Sequence, residues 1–223
     1  MGKITVFDTA VLEKAVADRV LETVDREKIQ TEANGEGLLV GCADGDQRGD
    51  TEDHLKSKGL HRRHEVLSNG GALSLGPKSP ARSLNRMLSE FVIHMTKETW
   101  YGWIARLLSG VITMIGCLFR LDLVQLIQIH KGLELKRMGV IILMPHVPCG
   151  VAAYYNLDVI DQLRLIIGAK RRLKKIFPDK RIMLLIHVDW SNGDRRTYRF
   201  SAAAMEAWIS TNHSLFTTLK ARL

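Results

Sequence analysis

The sequence predicts an α/β fold: a mostly parallel central β-sheet flanked by helices, with an N-terminal helical arm and a helical insertion. Two observations carry the class. Short apolar runs, among them residues 38–41 and 140–144, alternate with long stretches of helical periodicity, which is the pattern of strands whose crossovers are helices. The run "VIILM" at 140–144 is continuous and rich in β-branched residues, as expected of a strand buried on both faces of a parallel sheet.

Each element can be justified in order. Over residues 9–30, Val11, Leu12, Ala15, Val16, Val20, Leu21 and Val24 recur near helical spacing, so one amphipathic helix is predicted within an arm spanning 1–34. "TEANGEG" ends it, and the strand at 38–41 runs into the polar, glycine-rich loop "CADGDQRGD", which puts Cys42 at a strand's C-terminal end. "HEVLS" supplies another short strand before a loop rich in glycine, proline and serine. A long helical pattern from about residue 83 to 119 follows, and 77–120 reads as an apolar helical insertion. "LDLVQLIQIHKGLELKRMG" is a helix ending near Gly139, and "VIILM" is the strand after it, with His146 and Cys149 just beyond its end.

"NLDVIDQLRLIIGAKRRLKKIF" predicts a further helix with Asp158 near its start and a basic tail, both favourable to the helix dipole; Pro178 stops it. "RIMLLIHVDWSNGDRRTYRF" is a strand, a turn at 191–194 and a returning strand, with Asn192 and Gly193 as the hairpin signal. A last helix spans about 202–219. No internal repeat interrupts this series, so 1–223 reads as a single domain.

Composition narrows the function classes. Of the 223 residues, 46% are apolar, enough for a buried core. A net charge of +8 favours anionic partners without specifying nucleic acid. The basic stretch "AKRRLKKIFPDKR" has too few aromatics near it for a base-stacking platform, so a nucleic-acid role is not favoured. Cys42, Cys117 and Cys149 are too few for a secreted disulfide framework, and the N-terminus lacks the apolar core of a signal peptide; a cytoplasmic protein with reduced thiols is expected. Residues 100–119 are apolar with Arg106 their only charge, but Gly102, Gly110 and Gly116 interrupt them. Burial against protein is favoured there over membrane contact.

In a parallel sheet, sites form beyond the carboxyl ends of the strands. Cys42 and the pair His146 and Cys149 each follow an apolar strand at that edge, so residues far apart in sequence can converge. Two thiolates and an imidazole suit Zn²⁺, leaving a fourth position for water or for a carboxylate such as Asp44. Taken alone, His146-x-x-Cys149 also fits an ordinary packed turn. His61 and His64 have ligand-like spacing too, but with two arginines between them they read as a solvated face.

The order "CADGDQR" and then "HVPCG", each after an apolar strand, resembles the β-class carbonic anhydrases, whose pattern is Cys-x-Asp-x-Arg and later His-x-x-Cys-Gly. The resemblance covers roughly residues 9–76 and 121–200. It implies zinc held by Cys42, His146 and Cys149, and reversible hydration of CO₂ to bicarbonate by a zinc-bound hydroxide. Asp44 would accept a hydrogen bond from the attacking hydroxide, and Arg48 would hold Asp44 in place. It also implies a homodimer or higher homo-oligomer. Three positions depart from the pattern: Asp46 stands where the family has arginine, making Arg48 the nearest substitute; Pro145 replaces a glycine; and Ser68 replaces an arginine before Asn69. Two alternatives share the same ligand set: a catalytically silent zinc protein with Asp44 as fourth ligand, and a hydrolase of COS or CS₂.

Overall fold

The structure, a computed structural model, describes residues 4–43, 53, 55–60, 62–68, 70–82, 121–190 and 192–223. Helix α1 (Val6–Ala17) is followed by strand β1 (Glu22–Thr23), helix α2 (Arg26–Ala33), and strands β2 (Glu36–Cys42) and β3 (Arg62–Ser68). Two 3₁₀ turns, Gly71–Leu75 and Pro80–Arg82, precede helix α3 (Leu121–Lys136). Then come β4 (Val140–Met144), β5 (His146–Val147), α4 (Gly150–Tyr154), α5 (Val159–Ile176), β6 (Arg181–Asp189), β7 (Arg195–Arg199), α6 (Ala202–Thr211) and α7 (His213–Arg222). The expected insertion at 77–120 lies outside the described residues from 83 onward. Among the described residues, no helix is long and apolar enough to cross a membrane.

Among the described residues the sheet has seven strands in the order β1-β7-β6-β4-β2-β3, with β5 pairing β6 beyond the end of β4. The pairs β2 with β3, β2 with β4, and β4 with β6 are parallel; β7 returns antiparallel on β6, and β1 pairs antiparallel with β7. The mostly parallel sheet predicted from sequence is therefore present.

Its central strands are apolar on both faces because both are covered. Leu38 and Val40 of β2, Ile141 and Leu143 of β4, and Ile182, Leu184, Ile186 and Val188 of β6 join the larger core with α1, α5, α6 and α7. The alternate residues Leu39, Ile142, Met144, Met183 and Leu185 pack on the other side with Val24, Ile29, Ala33, Leu55 and Leu60. A continuous apolar run is what a strand needs when each side chain, pointing up or down, meets a helix or a packed turn.

The N-terminal segment departs from the expectation of one helix over 9–30. Thr5 caps α1, its hydroxyl accepting from the Asp8 amide at 3.0 Å, and Val11, Leu12 and Ala15 are fully buried as their spacing predicts. The helix ends at Ala17 with Asp18 as its C-cap, and Arg19 adopts a positive φ of 57°. Glu22 and Thr23 then pair with Arg199 and Tyr198 of β7, so Leu21 and Val24 enter the core from an extended segment rather than from a helical face. The last helix is also two, α6 and α7, meeting at Asn212, whose side-chain amide donates to the Trp208 carbonyl at 2.9 Å.

Helix α5 starts with two carboxylates. Asp158 caps it, accepting from the Asp161 amide at 2.9 Å, while Asp8 of α1 accepts from the Val159 amide at 2.7 Å. Burial pushes the Asp8 carboxyl above its ordinary value of 3.8, against the hydrogen bonds from Val159 and Thr5 that favour the charged form. A carboxyl raised on folding adds stability below the ordinary value and loses it as pH rises through the folded one. Asp8→Asn keeps an oxygen acceptor for Val159 and removes the buried charge. The variant should melt above the parent at pH 7, with the gap closing as pH falls below 3.8 in paired thermal melts.

Candidate metal centre

The two predicted half-sites meet at the carboxyl edge of the sheet. Strand β2 ends at Cys42, and strand β4, its parallel neighbour, ends at Met144 beside Gly41. Beyond Met144, the Pro145 carbonyl accepts from the His187 amide at 3.0 Å, and β5 continues the chain alongside β6 with His146 opposite His187. The Val147-Pro148 peptide is cis, and Cys149 then caps the short helix α4. One ligand atom each from Cys42, His146 and Cys149 lies within 4.8 Å of the other two. His146 and Cys149 are buried and Cys42 is half-buried.

The donor chemistry fits a soft divalent cation. The His146 Nδ1 lies 2.8 Å from the Pro148 carbonyl oxygen, which can only accept, so Nδ1 carries the proton and the lone pair belongs to Nε2. That contact fixes both the tautomer and the ring plane an imidazole would need to ligate a metal. The Cys149 thiol is pushed far up by its hydrogen bond with Cys42, and further by burial. Amides of Val151 and Ala152 act in the opposite direction, donating to the Cys149 sulfur. Two adjacent sulfurs cannot both ionise in a low-dielectric pocket unless a cation compensates them, and a pair of thiolates with an imidazole is a set that zinc takes tetrahedrally.

The support around Cys42 is what sequence reasoning missed. Gly71 has a φ of +46°, and a Cβ placed there would lie 2.4 Å from the Cys42 nitrogen and 2.4 Å from the Gly41 carbonyl carbon. Gly70, with φ +78°, has Val151 Cγ1 at 3.0 Å from its Cβ position. This glycine pair threads between the strand that carries Cys42 and the helix that follows Cys149.

A buried polar network fixes the glycine pair. Gln125 of α3 donates through Nε2 to the Gly71 carbonyl at 3.2 Å and to the Ser68 hydroxyl. The Ser74 hydroxyl pairs with Gln125 Oε1 and lies 2.9 Å from the same Gly71 carbonyl. Ser68 is itself the residue opposite Cys42 in the β2–β3 ladder, and its carbonyl accepts from the Ala43 amide at 3.0 Å. "SNGGA" was the visible signal for the loop; nothing in "LDLVQLIQ" marks Gln125 as the residue that would hold it.

Comparison of the chain with known protein families, with curated proteins and with solved structures finds no match. The sequence-predicted ligands Cys42, His146 and Cys149 are brought together. Asp44, Asp46 and Arg48 lie outside the described residues, as do Asn69 and His61. His64 sits half-buried on β3 against the backbone of Gly132.

Proposed function

We propose that the protein is a zinc enzyme that reversibly hydrates CO₂ to bicarbonate. The observation that carries this reading is the convergence of Cys42, from the end of one parallel strand, with His146 and Cys149 from beyond the end of its neighbour. The motif order "CADGDQR" and "HVPCG", similar to that of the β-class carbonic anhydrases, supplies the reaction. Zinc bound by these three residues would lower the pKa of a water from about 16 to about 7, making a nucleophile at neutral pH.

The chain's own groups have distinct tasks. Nδ1 of His146 donates to the Pro148 carbonyl and keeps the imidazole in the ligating tautomer. The amides of Val151 and Ala152 spread the charge of the Cys149 sulfur. Asp44, two residues beyond Cys42, is assigned to accept a hydrogen bond from the attacking water and orient it towards CO₂, with Arg48 holding that carboxylate. Water adds to the carbon, bicarbonate leaves, and the remaining proton passes to buffer. The reading includes a homodimer and a reducing compartment such as the cytoplasm, where both thiols stay available.

Stopped-flow CO₂ hydration with zinc-loaded protein is the test. The expected result is a rate above buffer that increases from pH 7 to pH 9, as the reactive water deprotonates, and falls by about two orders of magnitude in Asp44→Asn. No rate above buffer across that range would sink the assignment.

A further inference from the structure

A basic cleft lies along the surface of α5. Between this helix and the turn at Pro77 and Lys78 lies a cleft of about 600 Å³, the volume of a small-molecule site. Its walls carry Lys78, Arg164, Arg171, Arg172 and Lys175, and its floor is Pro77, Leu165 and Gly168. Arg164, Gly168, Arg171, Arg172 and Lys175 fall on one stripe of the helix at intervals of three and four residues. Gly168 lets Pro77 pack closely on the helix in the middle of that stripe, since a Cβ there would meet Pro77 Cδ at 3.0 Å.

The five cations divide into two groups. Arg171 pairs with Glu206 of α6, and Arg172 reaches inward to the fully buried Asp122 at 2.6 Å and to the Leu75 carbonyl at 3.2 Å, so both are held in place. Lys78, Arg164 and Lys175 are exposed and make no ion pair among the described residues; Arg164 is felt by Asp161 only as a longer-range charge. Among the described residues, the cleft thus combines guanidiniums held by ion pairs with cations that make none, beside an apolar part of its lining.

Its dimensions select the ligand class. At 1.5 Å per residue, Arg164 and Lys175 are about 16 Å apart along the helix, too far for one phosphate to reach both. Arg171, Arg172 and Lys175 crowd one end, while Leu165, Gly168 and Pro77 present apolar surface beside them. We propose that this cleft binds a nucleotide-sized phosphorylated small molecule, its phosphates towards Arg171, Arg172 and Lys175 and its ring or chain on the floor. Among its lining residues there is no aromatic side chain on which successive bases of a nucleic acid would stack. The site is separate from the metal centre and does not depend on the CO₂ reaction.

Isothermal titration of the full chain with ATP, adenosine and inorganic triphosphate tests it. ATP should bind saturably at one per chain with a Kd on the order of micromolar, and adenosine or triphosphate alone should bind about tenfold more weakly or less. The triple variant Lys78→Ala, Arg164→Ala, Lys175→Ala alters only exposed side chains, and Lys175→Glu is an independent single change at the phosphate end. Each should weaken ATP binding by about tenfold or more with zinc content and melting temperature unchanged. The proposal fails if ATP does not saturate, if both variants bind it like the parent, or if triphosphate binds as tightly as ATP. It also fails if single-stranded polyuridine binds more tightly than ATP through the same residues.

Discussion

Cys42→Ser protein is expected to purify with less than about a tenth of a zinc per chain, where the parent carries one. The structural reason is that, among the described residues, Cys42 is the one candidate ligand from the first half of the chain; His146 and Cys149 come from a single turn. A serine hydroxyl in its place stays protonated near neutral pH and is a hard oxygen donor, whereas zinc takes thiolate sulfur. Structural zinc with a complete ligand set is worth about 10–16 kcal/mol at pH 7, so loss of one of three protein donors removes a large share of that energy.

Metal analysis after dialysis against a chelator reads the stoichiometry, and the sulfur-to-metal charge-transfer absorbance of cobalt-substituted protein reads the ligand. Cys117→Ser is the control and should retain its zinc, because Cys117 belongs to neither motif. Equal zinc in the Cys42 and Cys117 variants would show that the two half-sites do not share an ion. The CO₂ reaction could then not be assigned to this cluster.

The parts of the fold legible in sequence were those whose signal is local. Val140–Met144 is the strand its five apolar residues predict, because burial on both faces demands an uninterrupted apolar run. The hairpin before β7 follows from turn chemistry: Gly193 takes a φ of +81°, and the Asp194 amide donates to Asn192 Oδ1 at 2.9 Å. The start of α5 was legible through Asp158, which caps it. The break between α1 and α2 was not, because Glu22 and Thr23 are extended by pairing with β7, at the far end of the chain. Helical spacing of Val20, Leu21 and Val24 says which residues are apolar, and the distant strand decides their backbone. The convergence of Cys42, His146 and Cys149 was readable for a topological reason, since parallel neighbours deliver their C-terminal ends to one edge. Gln125 was not readable: a polar residue in an amphipathic helix looks solvent-facing until α3 is docked on β3 and the 3₁₀ turn.

That hidden support gives Gly71→Ala an effect beyond the usual cost of a left-handed residue. The methyl carbon would sit 2.4 Å from the Cys42 nitrogen and 2.5 Å from the Gly41 oxygen, and both obstacles are backbone, so no side-chain rotation relieves the clash. Two movements remain. The loop can withdraw, which breaks the hydrogen bonds of Gln125 and Ser74 to the Gly71 carbonyl in a buried setting. Alternatively the end of β2 can withdraw, which parts Cys42 from Ser68 and carries the sulfur away from His146 and Cys149.

Stranding buried polar groups costs about 1–3 kcal/mol each, and the φ of +46° adds about 1–2 kcal/mol for any residue with a Cβ. A total near 3–4 kcal/mol corresponds to a fall in melting temperature of about 6–16 °C for a chain of this size, together with weaker zinc retention. Gly193→Ala isolates the conformational part, because Gly193 also has a positive φ, +81°, but nothing lies within 4 Å of its Cβ position. It should cost about 1–2 kcal/mol and leave zinc untouched. If the two substitutions proved equal in both melting temperature and zinc content, the glycine at 71 would matter only for its backbone angle. The close approach to Cys42 would then have no part in building the centre.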